Sequence, residues 1–202
     1  MDEDILYRTA VAYHHLLTTK YRIVLGRKGK TFEIFIEFTP ENFFHLAGLH
    51  KLSQRYSSLL RTSEEILHDA VSGTLSAEIF RGDIQFETVK RRMRALQSLE
   101  EMLDSDRVEF YGFNNRKALI GTKITADYLA KEENREGLIL FSFFEENGGR
   151  CYAKSVFSKE TYDYTLRQVK YTVLQKEKIA DQVTMILFRH KAYGLEKDTG
   201  NL

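Results

Sequence analysis

The spacing of apolar residues changes character near residue 105. Before that point they recur every three or four positions. Phe86, Val89, Met93, Leu96, Leu99 and Leu103 lie on one face of a long helix. Ile5, Ala12 and Leu16, with Tyr7 and Tyr13, give residues 4–18 an apolar side. Thr62-Ser63-Glu64-Glu65 has the form of a capping box, and Gly73 can stop the helix it starts. Residues 62–105 therefore read as helical. After residue 105 the pattern alternates, as in strands. Val108–Tyr111, Lys123–Tyr128, Leu138–Phe144, Tyr152–Phe157 and Tyr171–Leu174 are predicted as strands, separated by turn signals such as Asn147-Gly148-Gly149. Links this short favour antiparallel pairing. Residues 182–191 fit a strand or a short helix equally.

One hairpin interrupts the helical first half. Arg22–Leu25 enters the loop Gly26-Arg27-Lys28-Gly29-Lys30, and Thr31–Phe38 returns. The chain then turns a corner. Thr39 suits an N-cap, Pro40 suits the first helical position, and Gly48 suits the end of a short helix over 40–48. His45 is held at this strand-to-helix corner. The expectation is α+β: an N-terminal helix, a helical insertion at 62–105 and a curved antiparallel sheet. Residues 1–193 read as one domain and 194–202 as a flexible tail.

Composition narrows the setting. Hydrophobic residues make up 43% and charged residues 29%, ordinary for a folded domain. No apolar run approaches the ~20 residues that span a bilayer. The acidic Met1-Asp2-Glu3-Asp4 start has no signal-peptide form, and the single cysteine forms no intrachain disulfide. A cytoplasmic protein without membrane contact is expected. The net charge of +1 gives no global pull on nucleic acid, so any such binding is local.

His45 can act as a general acid or base, since imidazole titrates near pH ~6.5. It can equally cap or pack its short helix. His50 follows five residues later, a spacing that does not share a helix face, so the two make no metal site on one helix. Lys123, Thr125 and Asp127 fall on one face of their strand, where they can hold a phosphate and orient a hydroxyl. An ordinary strand with one wet face looks the same. Lys154 and Ser155 alternate to opposite faces. Lys90-Arg91-Arg92-Met93-Arg94 offers four cations in five residues, yet Glu87, Glu100 and Glu101 suggest a solvated face laced with ion pairs. Arg27, Lys28 and Lys30 can meet phosphate from the hairpin loop but lack nucleotide-binding P-loop spacing. Cys151, beside Arg150, reads as a small core residue. No metal, dinucleotide or nucleophile-elbow motif is present, and no cofactor is expected.

The block Asn42-Phe43-Phe44-His45-Leu46-Ala47-Gly48-Leu49 resembles the signature of the barnase–EndoU–colicin–RelE-like phage nucleases, fourth subgroup. Gly121–Leu129 and Lys154–Phe157 extend the resemblance over roughly residues 7–180. Ala47 stands where threonine is expected. The resemblance implies a compact ribonuclease-type fold with RNA on the curved sheet, and a phage or prophage origin in Gram-positive bacteria. It implies a toxin-like, metal-free RNA endonuclease in which the 2′-hydroxyl attacks. His45, Lys123 and Asp127 are then the catalytic candidates. Thr125, Lys154, Ser155, Arg27, Lys28 and Lys30 are the substrate-binding candidates. The rival is a non-enzymatic prophage protein that binds RNA or a protein, an inhibitor included, through the sheet or the 62–105 helices.

Overall fold

The computed structural model describes residues 4–56, 61–119, 121–134, 137–191 and 193. The expected tail at 194–202 lies outside the described residues. Helix α1 (Ile5–Leu16) is capped by Asp4, whose carboxylate accepts the Leu6 and Tyr7 amides. Its buried face carries Leu6, Thr9, Ala10, Tyr13 and Leu16, so Ala12 and Tyr7 flank the contact rather than fill it. Strands β1 (Thr19–Arg27) and β2 (Lys30–Glu37) form the hairpin. Its turn is tighter than predicted. Gly26 is inside β1, and only Lys28 and Gly29, both at positive φ, make the turn.

The predicted helix over 40–48 is a composite: a 3₁₀ turn at Pro40–Asn42, then the short α2 (Phe43–Leu46). Thr39 leads in with extended backbone, but its side chain makes no capping bond. Residues 62–105 are likewise divided. The capping box starts α3 (Ser63–Val71), Gly73 follows its end at positive φ, and α4 (Phe86–Gln97) and α5 (Leu99–Asp104) break at Ser98.

The remaining strands are β3 (Glu109–Gly112), β4 (Tyr128–Glu133), β5 (Ile139–Asn147), β6 (Arg150–Ser158), β7 (Val169–Ala180) and β8 (Val183–Arg189). Residues 182–191 thus hold a strand. The sheet is not an open antiparallel one. Its order is β1-β2-β6-β5-β4-β3-β7, and β7 pairs back onto β1, closing a seven-stranded barrel, with β8 added beside β7. One junction is parallel: Ile36 and Glu37 of β2 lie beside Cys151 and Tyr152 of β6. Closure removes most free sheet edges. It also brings non-neighbouring strands together, so that Phe32 of β2 meets Tyr128 of β4 and Tyr171 of β7.

Two apolar clusters follow from strand alternation. The larger joins α1, α3, α4 and α5 to Ile23, Ile36, Phe110, Phe144 and Val156. The smaller gathers Tyr111, Leu129, Phe141 and Phe143, with Ile124, Ala126, Phe157 and Tyr164 packed against them. The predicted strand Lys123–Tyr128 is corrected here. Residues 121–126 carry no strand pairing; β4 begins at Tyr128. Their alternation is nonetheless real, because Ile124 and Ala126 are pressed onto the smaller cluster while Lys123, Thr125 and Asp127 face out.

Candidate functional site

Helix α2 is pinned from three sides. Phe43 and Leu46 are fully buried, the Tyr13 hydroxyl donates to the Thr39 carbonyl (2.7 Å), and Ser63 serves the helix start. The Ser63 hydroxyl donates to the Pro40 carbonyl (2.8 Å) and accepts the Phe44 amide (2.9 Å). His45 projects from this anchored turn with solvent access.

The histidine spacing has a different outcome from the helical rule. The helix ends at Ala47, and Gly48 takes φ 82°, a left-handed conformation that costs a residue with a Cβ. The chain reverses, and His50 returns to stack on His45. The ring centroids lie 4.0 Å apart with 10° between planes. Two protonated rings at that distance repel, so the pair favours at most one proton.

Arg92 is the residue the charge pattern conceals. Its neighbours behave as solvated cations: Lys90 pairs with Glu87 (2.9 Å) and Arg91 reaches Glu160 (3.4 Å). Arg92 instead points inward. Its Nη2 donates to Ser155 Oγ at 2.9 Å, and its guanidinium lies 5.7 Å from the centre of the Phe157 ring. Its Nε is buried with no hydrogen-bond partner, and no carboxylate pairs with it among the described residues. The signal was positional: residue 92 is three after Val89 and four before Leu96, on the apolar face of α4. A Cβ on Gly48 would stand 2.7 Å from Arg92 Cδ, so the glycine serves both the reversal and this approach.

Strand β6 supplies the last side. The register between β5 and β6 shifts at Phe143/Phe144: Ser155 faces Phe143, Ala153 faces Phe144, and Lys154 is the extra residue. Strict alternation would send Lys154 and Ser155 to opposite faces. The bulge lets Ser155 hold Arg92 while the Lys154 charge still acts on His45. Partial burial, then Arg92, Lys154 and Lys51, hold the His45 imidazole below its ordinary value. Burial, His45, Arg92 and Lys51 push His50 down to about 4. Both rings are therefore neutral at pH 7, and the charges that act on them are cationic. Cys151, by contrast, is buried in the core and its thiol is raised to about 12, an unreactive state.

Lys154 also connects this corner to an open cleft of ≈ 360 Å³. It pairs with Glu145 (2.9 Å), which lines the cleft with Phe113, Asn115, Arg116, Thr125 and Asp127. The Asp127 carboxylate accepts the Glu146 amide (2.7 Å), tying the 121–127 segment to β5. Lys123 is exposed on the same segment but does not line the cleft. Arg27, Lys28 and Lys30 are exposed at the far end of β2 from Pro40, roughly 25 Å along an eight-residue strand. The structure does not bring them to His45. Among the described residues, no group of three or more His, Cys, Asp or Glu side chains could hold a metal ion. No described helix is long and apolar enough to cross a membrane.

The model of one family, the phage-Barnase-EndoU-ColicinE5/D-RelE like nuclease 4 family, matches residues 5–191. The chain belongs to this family. No curated protein and no solved structure matches it. In this phage nuclease-like chain the matched span includes the whole barrel and every residue of the His45 corner.

Proposed function

We propose that this phage nuclease-like protein is a metal-independent endoribonuclease with His45 as its proton-transfer group. The observation that carries the reading is a pair of stacked histidines, both held below their ordinary value by burial and by the Arg92, Lys154 and Lys51 charges. Cations crowded at this density attract a phosphodiester and repel a divalent metal ion. In the reaction proposed, the RNA 2′-oxygen attacks the adjacent phosphorus and the bond to the 5′-oxygen breaks. The hydroxyl proton passes to His45, and the 5′-oxygen takes up a proton as it leaves. Arg92 and Lys154 offset the charge that builds on the phosphorane. Thr125, Asp127 and Glu145 shape the cleft where the flanking nucleotide lies. Lys123 and the hairpin cations are too peripheral in this reading to touch the reacting phosphate.

The test is RNA cleavage by purified protein in EDTA. Cutting should persist, weaken as salt rises, and yield 2′,3′-cyclic phosphate ends. His45→Ala should lower it by about 10²–10⁴, the usual contribution of a general acid or base, while the thermal midpoint stays nearly unchanged. Abolition by EDTA, or an unaffected His45→Ala rate, would overturn the assignment. Retention of RNA without any cutting would favour the binding-protein alternative.

A further inference from the structure

We propose that Arg92 is the centre of a built phosphoryl-binding site, and that filling it loads one proton onto the His45–His50 pair. This deepens the ribonuclease reading, yet the anion site stands on observations of its own. A buried guanidinium normally has a carboxylate or a full set of hydrogen bonds, because removing its hydration is costly. Arg92 has neither: Nη2 reaches only the neutral Ser155 hydroxyl, and Nε–H is buried without an acceptor. Gly48 admits the close approach of this side chain, since a Cβ there would stand 2.7 Å from Arg92 Cδ and 3.2 Å from Nε. Arg92 keeps partial solvent exposure, and a tetrahedral oxyanion reaching the side chain from that side neutralises its charge and accepts its accessible N–H groups.

The charges facing the histidines come from every element packed around them. Lys51 follows His50 in the same turn, Arg92 comes from α4, and Lys154 comes from β6 with Glu145 of β5 as its partner. Helix α3 contributes only the neutral Ser63 hydroxyl, which contacts the α2 backbone. The charges that act on the rings are all positive and favour their unprotonated form. A phosphoryl group adds two negative charges or one at the same place and reverses that balance. The stacking distance then restricts uptake to one ring. Occupancy thereby produces one neutral imidazole and one imidazolium, a base and an acid at the same phosphate.

The experiment follows the histidine ring protons by NMR at pH 7 while inorganic phosphate is added, with chloride at matched ionic strength as the control. Calorimetry with sulfate, which does not titrate at this pH, counts protons in two buffers of different ionisation enthalpy. Expected are the neutral shift for both rings in chloride, movement of one ring to the protonated shift in phosphate, and uptake of about one proton. Arg92→Gln should weaken binding by about 10- to 100-fold, as loss of a charged hydrogen-bonding partner does, and abolish the shift. Binding without protonation, or no binding, overturns the proposal, and wild-type protein decides this even if Arg92→Gln does not fold. Phosphate-linked protonation in a protein that cuts no RNA would leave this site intact and remove the ribonuclease reading.

Discussion

Gly48 carries two constraints in one position, and a single methyl group tests both. Its φ of 82° costs an L-residue about 1–2 kcal/mol, and the added carbon would stand 2.7 Å from Arg92 Cδ. Gly48→Ala should lower stability by at least the backbone amount. It should also depress RNA cleavage by on the order of 10²-fold, because a guanidinium moved by an ångström no longer meets the phosphate. Chemical denaturation and cleavage rates, measured together, check the pair of effects; a stable, fully active variant would show that Arg92 relaxes without consequence. The histidines give a second residue-scale expectation. His50 titrates at about 4 in the folded protein, against ~6.5 for an unfolded histidine. Between these values the unfolded chain binds more protons, so stability falls as pH drops from 6.5 toward 4. His50→Gln should flatten that slope between pH 6.5 and 5, before most carboxylates titrate. An unchanged slope in urea titrations would assign the acid sensitivity elsewhere.

At the level of elements, the His45 turn depends on a helix twenty residues further along the chain. Ser63 satisfies the Pro40 carbonyl and the Phe44 amide together, where a four-residue helix cannot satisfy its own ends. Ser63→Ala leaves both groups without that partner, and a cost of about 1–3 kcal/mol is expected. The local signature is faster hydrogen exchange at the Phe44 amide with β-strand protection retained; equal protection in both proteins would mean water replaces the hydroxyl. Elements of this kind were legible in the sequence wherever periodicity or caps set them. The Thr62–Glu65 box, Gly73, the hairpin and four of the later strands all rest on local chemistry. What local chemistry could not show were the contacts that build the site. The helical spacing rule separates His45 from His50 only if the helix continues, and Gly48 ends it. A run of cations reads as solvated unless each is placed on the helix face, where residue 92 falls among the apolar positions. Alternation fails at Lys154 because a bulge inserts it, and a bulge depends on the strand opposite.

For the whole molecule, closure of the barrel was the least legible feature, because nothing local to β2 specifies a parallel partner more than a hundred residues away. The strand that completes the ring, β7, holds β1 on one side and β3 and β8 on the other. In its middle is Lys176, fully buried opposite Ile23. Its ammonium donates to the Leu103 carbonyl (2.6 Å) and the Ser105 carbonyl, where α5 ends. That arrangement caps the helix with a cation at its negative end and ties the helical layer to the closing strand. Burial outweighs the nearby Asp104, Asp106 and Glu132 charges and pulls the amine down to about 8. An unfolded lysine titrates near ~10.4, so between pH 8 and that value the unfolded chain binds the extra proton. Stability should therefore rise with pH across this window through Lys176, by an amount on the order of a few kcal/mol. Deprotonation leaves a neutral amine that still donates to both carbonyls, so the contact survives while the buried charge disappears. The buried Tyr13 and Tyr21 hydroxyls oppose this above pH ~10, since both are raised above their ordinary value in the fold. The clean comparison is urea denaturation at pH 8 and pH 9.5 for wild type and Lys176→Met. Wild type should gain stability over that interval, and the variant should not; parallel curves would mean that the amine is charged in the fold throughout.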